Sequence, residues 1–197
     1  MRRVLILCAF IFGFFANSAF ASYVIVNDGT VSLRVSAKVD EMGSELFEKS
    51  GISVYVAVPE SLNAQTTQQY AKGLVEKLKT PYVLFILAKN DTQVDILYSK
   101  GLEKNFDKEA VLSPFPWNGT VLPLLAQKKE KDKYNAAILN GYADIVEQIA
   151  SSKNIKLQSA IGNTNKEIYW FLQIVIFGFL IFVFVGYFYR RLKKSNG

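Results

Sequence analysis

The side chains that carry most nucleophilic and metal chemistry at neutral pH are missing from this chain or stand at its edge. The sequence has no histidine, and its single cysteine, Cys8, lies in an apolar run at the front. Without histidine, Ser–His and Cys–His catalysis is excluded, and so is imidazole ligation of zinc, iron or copper. Cys8 falls inside an expected leader, so the chain that follows has no disulfide, no thiol nucleophile and no zinc–thiolate site. What remains is the chemistry of carboxylates, amides, hydroxyls, lysine and arginine, or of a hard cation held by oxygen. The isolated pairs Lys72-Gly73 and Lys100-Gly101 do not make a phosphate-cradling glycine loop.

Charge points to topology. The formal net charge is +6, but residues 22–163 carry 16 basic and 16 acidic side chains. The excess comes from Arg2 and Arg3 at the front and from Arg190, Arg191, Lys193 and Lys194 at the back. No basic stripe with interleaved aromatics is present, and nucleic acid is not an expected partner. Lys128, Lys129, Lys131 and Lys133 alternate with Glu130 and Asp132, which is the pattern of a solvated loop. Asn118-Gly119-Thr120 matches a glycosylation acceptor, a short pattern that recurs by chance. In Pro114-Phe115-Pro116-Trp117 two prolines forbid regular structure. Phe115 and Trp117 are therefore either partner-contact residues on an irregular loop or rings folded onto the sheet.

The two ends define the expected topology. Arg2-Arg3, the apolar run Val4 to Phe15 and the Ala19-Phe20-Ala21 ending are the parts of a secretory signal peptide over 1–21, with Ser22 first after cleavage. No small residue precedes Cys8 as a lipoprotein site requires. A second apolar run, 168–189, is long enough for one transmembrane helix. Tyr169, Trp170, Tyr187 and Tyr189 lie at its edges, where amphipathic rings prefer the headgroups. Arg190, Arg191, Lys193 and Lys194 follow at once, so the positive-inside rule leaves 190–197 in the cytoplasm and the preceding domain outside it. A bacterial inner (plasma) membrane, with the domain in the periplasm, is the expected location. Gly178 and Gly186 stand eight apart and form no GxxxG pair, so that dimer motif is absent and no oligomeric state is assigned.

Between these ends one α/β domain is expected over 22–150. Val24-Ile25-Val26 leads to a turn at Asn27-Asp28-Gly29. Val35, Val39, Met42 and Leu46 then share one helix face, closed by Ser50-Gly51. Ile52 to Val58 alternates as a strand, and Thr66 to Lys79 reads as a helix stopped by Thr80-Pro81. Tyr82 to Ala88 is apolar throughout, like a strand covered on both faces. Such strand–helix–strand crossovers are right-handed as a rule. Val94, Ile96 and Tyr98 alternate as an antiparallel return strand. Leu102 to Leu112 reads as a short helix, 113–119 as irregular, and Tyr134 to Ala150 as a closing amphipathic helix. The polar residues 151–167 read as a juxtamembrane linker.

In this order the pieces resemble the TPM domain, a family with thylakoid-lumen, photosystem II-repair and receptor-modulating members. The resemblance rests on Val26-Asn27-Asp28, on Lys49-Ser50-Gly51-Ile52-Ser53-Val54-Tyr55-Val56-Ala57-Val58 and on Ser61-Leu62. It continues through Tyr70-Ala71, the strand Val83 to Leu87, Gly101-Leu102-Glu103 with Phe106-Asp107, and the helix Ile138 to Ile149. It implies a three-layer α/β/α sandwich around a small mixed sheet. It also implies a weak acid-phosphatase activity, known in plant members, with Ca²⁺ or Mg²⁺ held by loop carboxylates. Carried onto this chain, those metal ligands are Asp28, Glu103 and Asp107. Ser99 stands where the family commonly has a second glycine, and Pro114 to Trp117 replaces its acidic tract. The same carboxylates have plainer roles open to them. Asp28 can cap a helix or hold a turn, Asp107 can cap the helix that follows, and Glu103 can pair with Lys100 or Lys104.

Two function classes follow. One is a non-catalytic accessory module that assists assembly, repair or regulation of another membrane protein. The other is a divalent-cation-dependent phosphatase acting on phosphate esters. Missing histidine and cysteine favour the first, so an enzyme is the less expected outcome and no catalytic residue is assigned.

Overall fold

In the computed structural model, residues 22–127, 132–162 and 164–195 are described, and within the last stretch the side chains of 171–185 and 187. The expected leader, Lys128, Lys129 and Lys131, and the side chains of Arg190, Arg191, Lys193 and Lys194 lie outside the described residues.

Strand and helix alternate as their residue types require: β1 (Val24–Asn27), α1 (Leu33–Ser50), β2 (Ser53–Val58), α2 (Thr67–Val75), β3 (Tyr82–Ala88) and β4 (Gln93–Tyr98). Two single-turn helices follow, α3 (Lys108–Val111) and α4 (Leu122–Leu125), then α5 (Lys133–Ser152) and α6 (Thr164–Ser195). The sheet order is β1-β2-β3-β4. β1, β2 and β3 are parallel, and β4 returns antiparallel along β3 with Phe85 opposite Ile96. The fold is α/β with a mixed four-stranded sheet.

Alternation along the strands divides the core in two. Val54, Val56, Val58, Val83, Phe85 and Leu87 face α1 and α5, where Val39, Met42, Leu46, Ile138, Tyr142 and Ile145 meet them. Ala57, Leu84, Ile86 and Ala88 face the other way, against Ala71 of α2. The helices therefore cover both faces. Three parallel strands laid down in one direction cannot have helices on opposite faces unless the two crossovers differ in hand. The right-handed rule thus gives way in one of them. On the α1–α5 side the packing leaves no slack. A Cβ on Gly43 would come within 2.4 Å of the Tyr142 hydroxyl, which itself donates to the Val54 carbonyl at 3.0 Å.

Helix ends follow local chemistry. Ser32 caps α1, and Gly51, at φ 72°, closes it with its amide on Phe47 O. Thr66 and Gln69 form a reciprocal capping box on α2. α2 stops at Val75, short of the expected Lys79, because the amides of Lys77 and Leu78 turn back only three residues, to Leu74 and Val75. The expected helix 102–112 is reduced to α3, since Asp107 takes the extended cap conformation and starts the helix there.

Two stretches differ more from expectation. Among the described residues no helix is long and apolar enough to cross a membrane. The expected span 168–189 is only partly covered by the described side chains, and all of these are exposed. Of the expected linker 151–167, Ser151 and Ser152 end α5, residues 164–167 open α6, and 153–162 is laid on the domain. Leu157 and Ser159 are buried there, and Ile155 and Ile161 pack against the core.

Candidate functional site

The carboxyl ends of β1, β2 and β3 open onto a cavity of about 450 Å³ lined by Asp28, Glu60, Lys89, Asn90, Asp132 and Asn135. In open α/β sheets this edge is where ligands bind, because the strands end there and the loops diverge. Its floor is built by amides. Asn27 Oδ1 accepts from the amides of Gly29 and Val31, both at 3.0 Å, and Asp28 Oδ1 accepts from Thr30 at 2.8 Å. Buried Asn135, from the first turn of α5, donates to Thr30 O and to Asp132 Oδ1 and accepts from the Ser32 amide. One side chain thus ties the start of α1 to the start of α5. Asp28 holds a turn, the plainer of the roles open to it.

Glu103 and Asp107 stand elsewhere. They line a different cavity, of about 700 Å³, with Lys104, Lys108, Gln148 and Ser152. Glu103 accepts from the Gly101 amide at 2.9 Å, and its own amide and that of Gly101 hold its pKa below the usual carboxylate value. Asp107 caps α3 through the Ala110 amide at 2.9 Å, while its own amide donates to Gln148 Oε1. The cavity of Asp28 adjoins Asn135, whereas Asp107 adjoins Gln148 on the same helix α5. Those positions are separated by about 20 Å at 1.5 Å per residue. The three carboxylates do not converge, and they do not fit a single cation. Among the described residues no group of three or more Cys, Asp or Glu could hold a metal ion.

The loop between α3 and α4 has a different character. The Phe115 and Trp117 rings stack, centroids 4.9 Å apart and planes 20° from parallel, yet they remain 53% and 56% exposed. The turn beneath them is rigid, because the amides of Asn118 and Gly119 both bond to Phe115 O, at 3.0 and 2.6 Å. Gly119 is required, since a Cβ there would lie 1.7 Å from Ser113 O. Pro114, next to Phe115 in the chain, walls a groove of about 370 Å³ shared with Leu87, Val94, Leu122, Leu125 and Tyr134. The ammonium groups of Lys89 and Lys133 sit 5.2 and 5.4 Å from the Tyr134 ring, so cations rim an apolar floor.

Sequence reasoning did not single out Glu60, Lys89, Asn90, Asp132 or Asn135. For the first three a signal existed, as each follows the end of a parallel strand. It missed Glu45 and Glu147 as well. Glu45 accepts the amides of Gln158 and Ser159 at 2.7 and 2.8 Å and also the Ser159 hydroxyl. Glu147 accepts those of Ile161 and Gly162 at 3.1 and 3.0 Å. Partial burial raises the Glu45 pKa. The bonds from Lys49, from the Ser159 hydroxyl and from the two amides outweigh that and hold it down at about 2.

A family model described as TPM domain matches residues 24–148, from the start of β1 to near the end of α5. No curated protein matches the chain.

Proposed function

The chain belongs to the TPM domain family, and from that premise we propose that it is a single-pass inner-membrane protein whose periplasmic or extracytoplasmic domain serves as a non-catalytic accessory module for another membrane protein. The observation that carries the reading is the stacked Phe115–Trp117 pair, held exposed on a rigid turn beside an apolar groove. Rigid aromatic groups lose little entropy on docking and fill a partner's pockets well. Support for anchoring comes from α6. Phe171, Phe177, Phe179, Phe182 and Phe184 are each more than 60% exposed, an apolar surface that water does not tolerate uncovered. The sequence continues that surface to 168–189 and closes it with Arg190, Arg191, Lys193 and Lys194. In a test, a photo-reactive side chain replaces Trp117 in the full chain and membranes are irradiated. A discrete adduct with one membrane protein, lost when Phe115 is also changed to Ala, is the expected outcome. An adduct pattern indistinguishable from that of a probe at Glu76 overturns the reading.

A second reading, a cation-dependent phosphatase for phosphate esters, rests on the position of the cavity at the carboxyl ends of the parallel strands, with Lys89 and Asn90 in its wall. Its test is turnover of a generic phosphate ester with and without Ca²⁺ or Mg²⁺. Cation-dependent turnover abolished by Asp28→Asn would establish it, whereas equal rates with and without cation would remove it.

A further inference from the structure

The chain after α5 does not hang free. It reverses at Asn154, whose φ is 57°, and the Ile155 amide returns to Ala150 O at 2.8 Å. It then runs back between α1 and α5 as a strap. Lys49 Nζ bonds to Lys156 O at 2.9 Å, Glu45 takes the amides of Gln158 and Ser159, and Glu147 takes those of Ile161 and Gly162. Among the described residues Gly162 is thus the last one pinned to the domain, through Glu147 of α5.

From Gly162 to Ile168, where the apolar run begins, there are six residues. Fully extended they reach about 20 Å, and because α6 starts at Thr164 the last four rise only about 1.5 Å each, which leaves a reach of at most about 13 Å. The headgroup layer accounts for roughly 5–7 Å on each side of the hydrocarbon. A domain of this size has a radius of gyration of about 14 Å. If α6 enters the membrane, the domain has no room to stand off from it. The surface around Gly162 must meet the headgroups.

That surface is the outer side of α1 and α5. The strap fills one part of the groove between them. The rest, about 670 Å³, stays open between Arg34 and Lys38 on one side and Leu139 and Asn140 on the other, with Ile161 at its end. Leu33, between Ser32 and Arg34 of that lining, is 90% exposed in the first turn of α1. Arg34 follows it and Lys38 lies one turn further on. Lys38 is paired with Glu41 at 2.9 Å, while Arg34 has no ion pair among the described residues. An exposed leucine beside a free guanidinium suits the boundary between acyl chains and phosphate groups.

We infer that the strap fixes the domain with the outer face of α1 and α5 on the lipid surface of its own membrane, Leu33 and Arg34 making the contact. The inference rests on the anchoring reading above. It is tested with the full chain in vesicles of phosphatidylcholine and phosphatidylglycerol. A single fluorophore is placed by Leu33→Cys, Glu76→Cys or Phe177→Cys in a Cys8→Ser background. Glu76 ends α2, on the opposite side of the sheet. Lipids carrying a quencher near the headgroup should quench the label at 33 at least twofold more than the label at 76, and a deep quencher should reach the label at 177. Equal quenching at 33 and 76, with 177 quenched, overturns the inference and leaves anchoring standing. A label at 177 that escapes the deep quencher overturns anchoring and this inference together. Replacing Glu45 and Glu147 by Ala should bring quenching at 33 down to the level at 76. Unchanged quenching would overturn the strap's part in the arrangement.

Discussion

Residues 113–119 and 153–162 are both irregular, and both lie between helices, yet they are ordered by opposite means. The first is held from within. Its backbone closes on itself around Phe115 O, and a glycine permits the approach, so both rings are left free to face outward. The second is held from outside. Its amides are taken by carboxylates that stand more than a hundred residues away in α1 and fourteen or fifteen away in α5, and its apolar residues turn inward. A loop ordered by its own backbone is insensitive to charge and intolerant of a side chain at one position. A loop ordered by carboxylates depends on pH and tolerates changes in its own small residues. The first suits a docking surface that must keep its shape. The second suits a joint that fixes one body relative to another.

The sharpest way to break this contrast is Gly119→Ala. The new Cβ would overlap Ser113 O, and backbone must shift to relieve it. The expected loss is about 3 kcal/mol, or about 10 °C in thermal midpoint, measured by calorimetry on the domain. A variant melting within 2 °C of the parent would mean that the loop relaxes and is not held as described.

Next in size is Glu45→Ala. It removes the acceptor for two amides and a hydroxyl, worth about 2 kcal/mol for charge-assisted bonds. Hydrogen exchange at Gln158 and Ser159 should accelerate about 30-fold, while amides of residues 115–119 keep their parent rates. The same bonds set a pH dependence. The pKa of Glu45 falls from 4.5 to about 2 in the folded chain. A depressed carboxylate pKa contributes stability that is complete above pH 4.5 and is lost as pH falls toward 2. Exchange at Gln158 and Ser159 should therefore accelerate, relative to residues 115–119, only within that interval. Parallel acceleration of both segments would contradict local control of the strap.

How much of this was legible in sequence depended on whether the signal was local. The sheet and its helices announced themselves through spacing: Val35, Val39, Met42 and Leu46 recur on one face, and all are buried. Gly51 and Thr66 marked helix ends through chemistry confined to a single turn. In sequence the strap reads as a tether, because Ser151 to Asn165 is polar and small, and nothing in it reveals that Glu45 and Glu147 receive its amides. Those glutamates look like any solvated residue of an amphipathic helix. The ligand set Asp28, Glu103 and Asp107 shows the same limit from the other side. Each residue was visible as a loop carboxylate, but their separation along α5 is a property of the fold. Asp28 and Asp107 turned out to serve the backbone beside them.

Glu147→Ala is the milder test of the strap. Two accepted amides, one of them exposed, are worth about 1 kcal/mol together. Faster exchange should be confined to Ile161 and Gly162, with Gln158 and Ser159 spared while Glu45 remains. The smallest stability effect is expected from Phe115→Ala combined with Trp117→Ala. Each ring is more than half exposed, and the turn beneath is made by backbone, so the domain should lose no more than about 0.5 kcal/mol. With the photo-reactive side chain moved to the neighbouring exposed Asn118, a docking surface predicts that this nearly silent change abolishes crosslinking to the membrane partner, whereas Glu45→Ala, four times as costly, leaves crosslinking at the loop intact. If the aromatic pair were instead part of the core, the double substitution would cost several kcal/mol, and its effect on crosslinking would follow the loss of fold. The two readings thus differ in how far crosslinking falls for a given fall in stability. Melting and crosslinking, measured on the same two variants, supply both quantities directly.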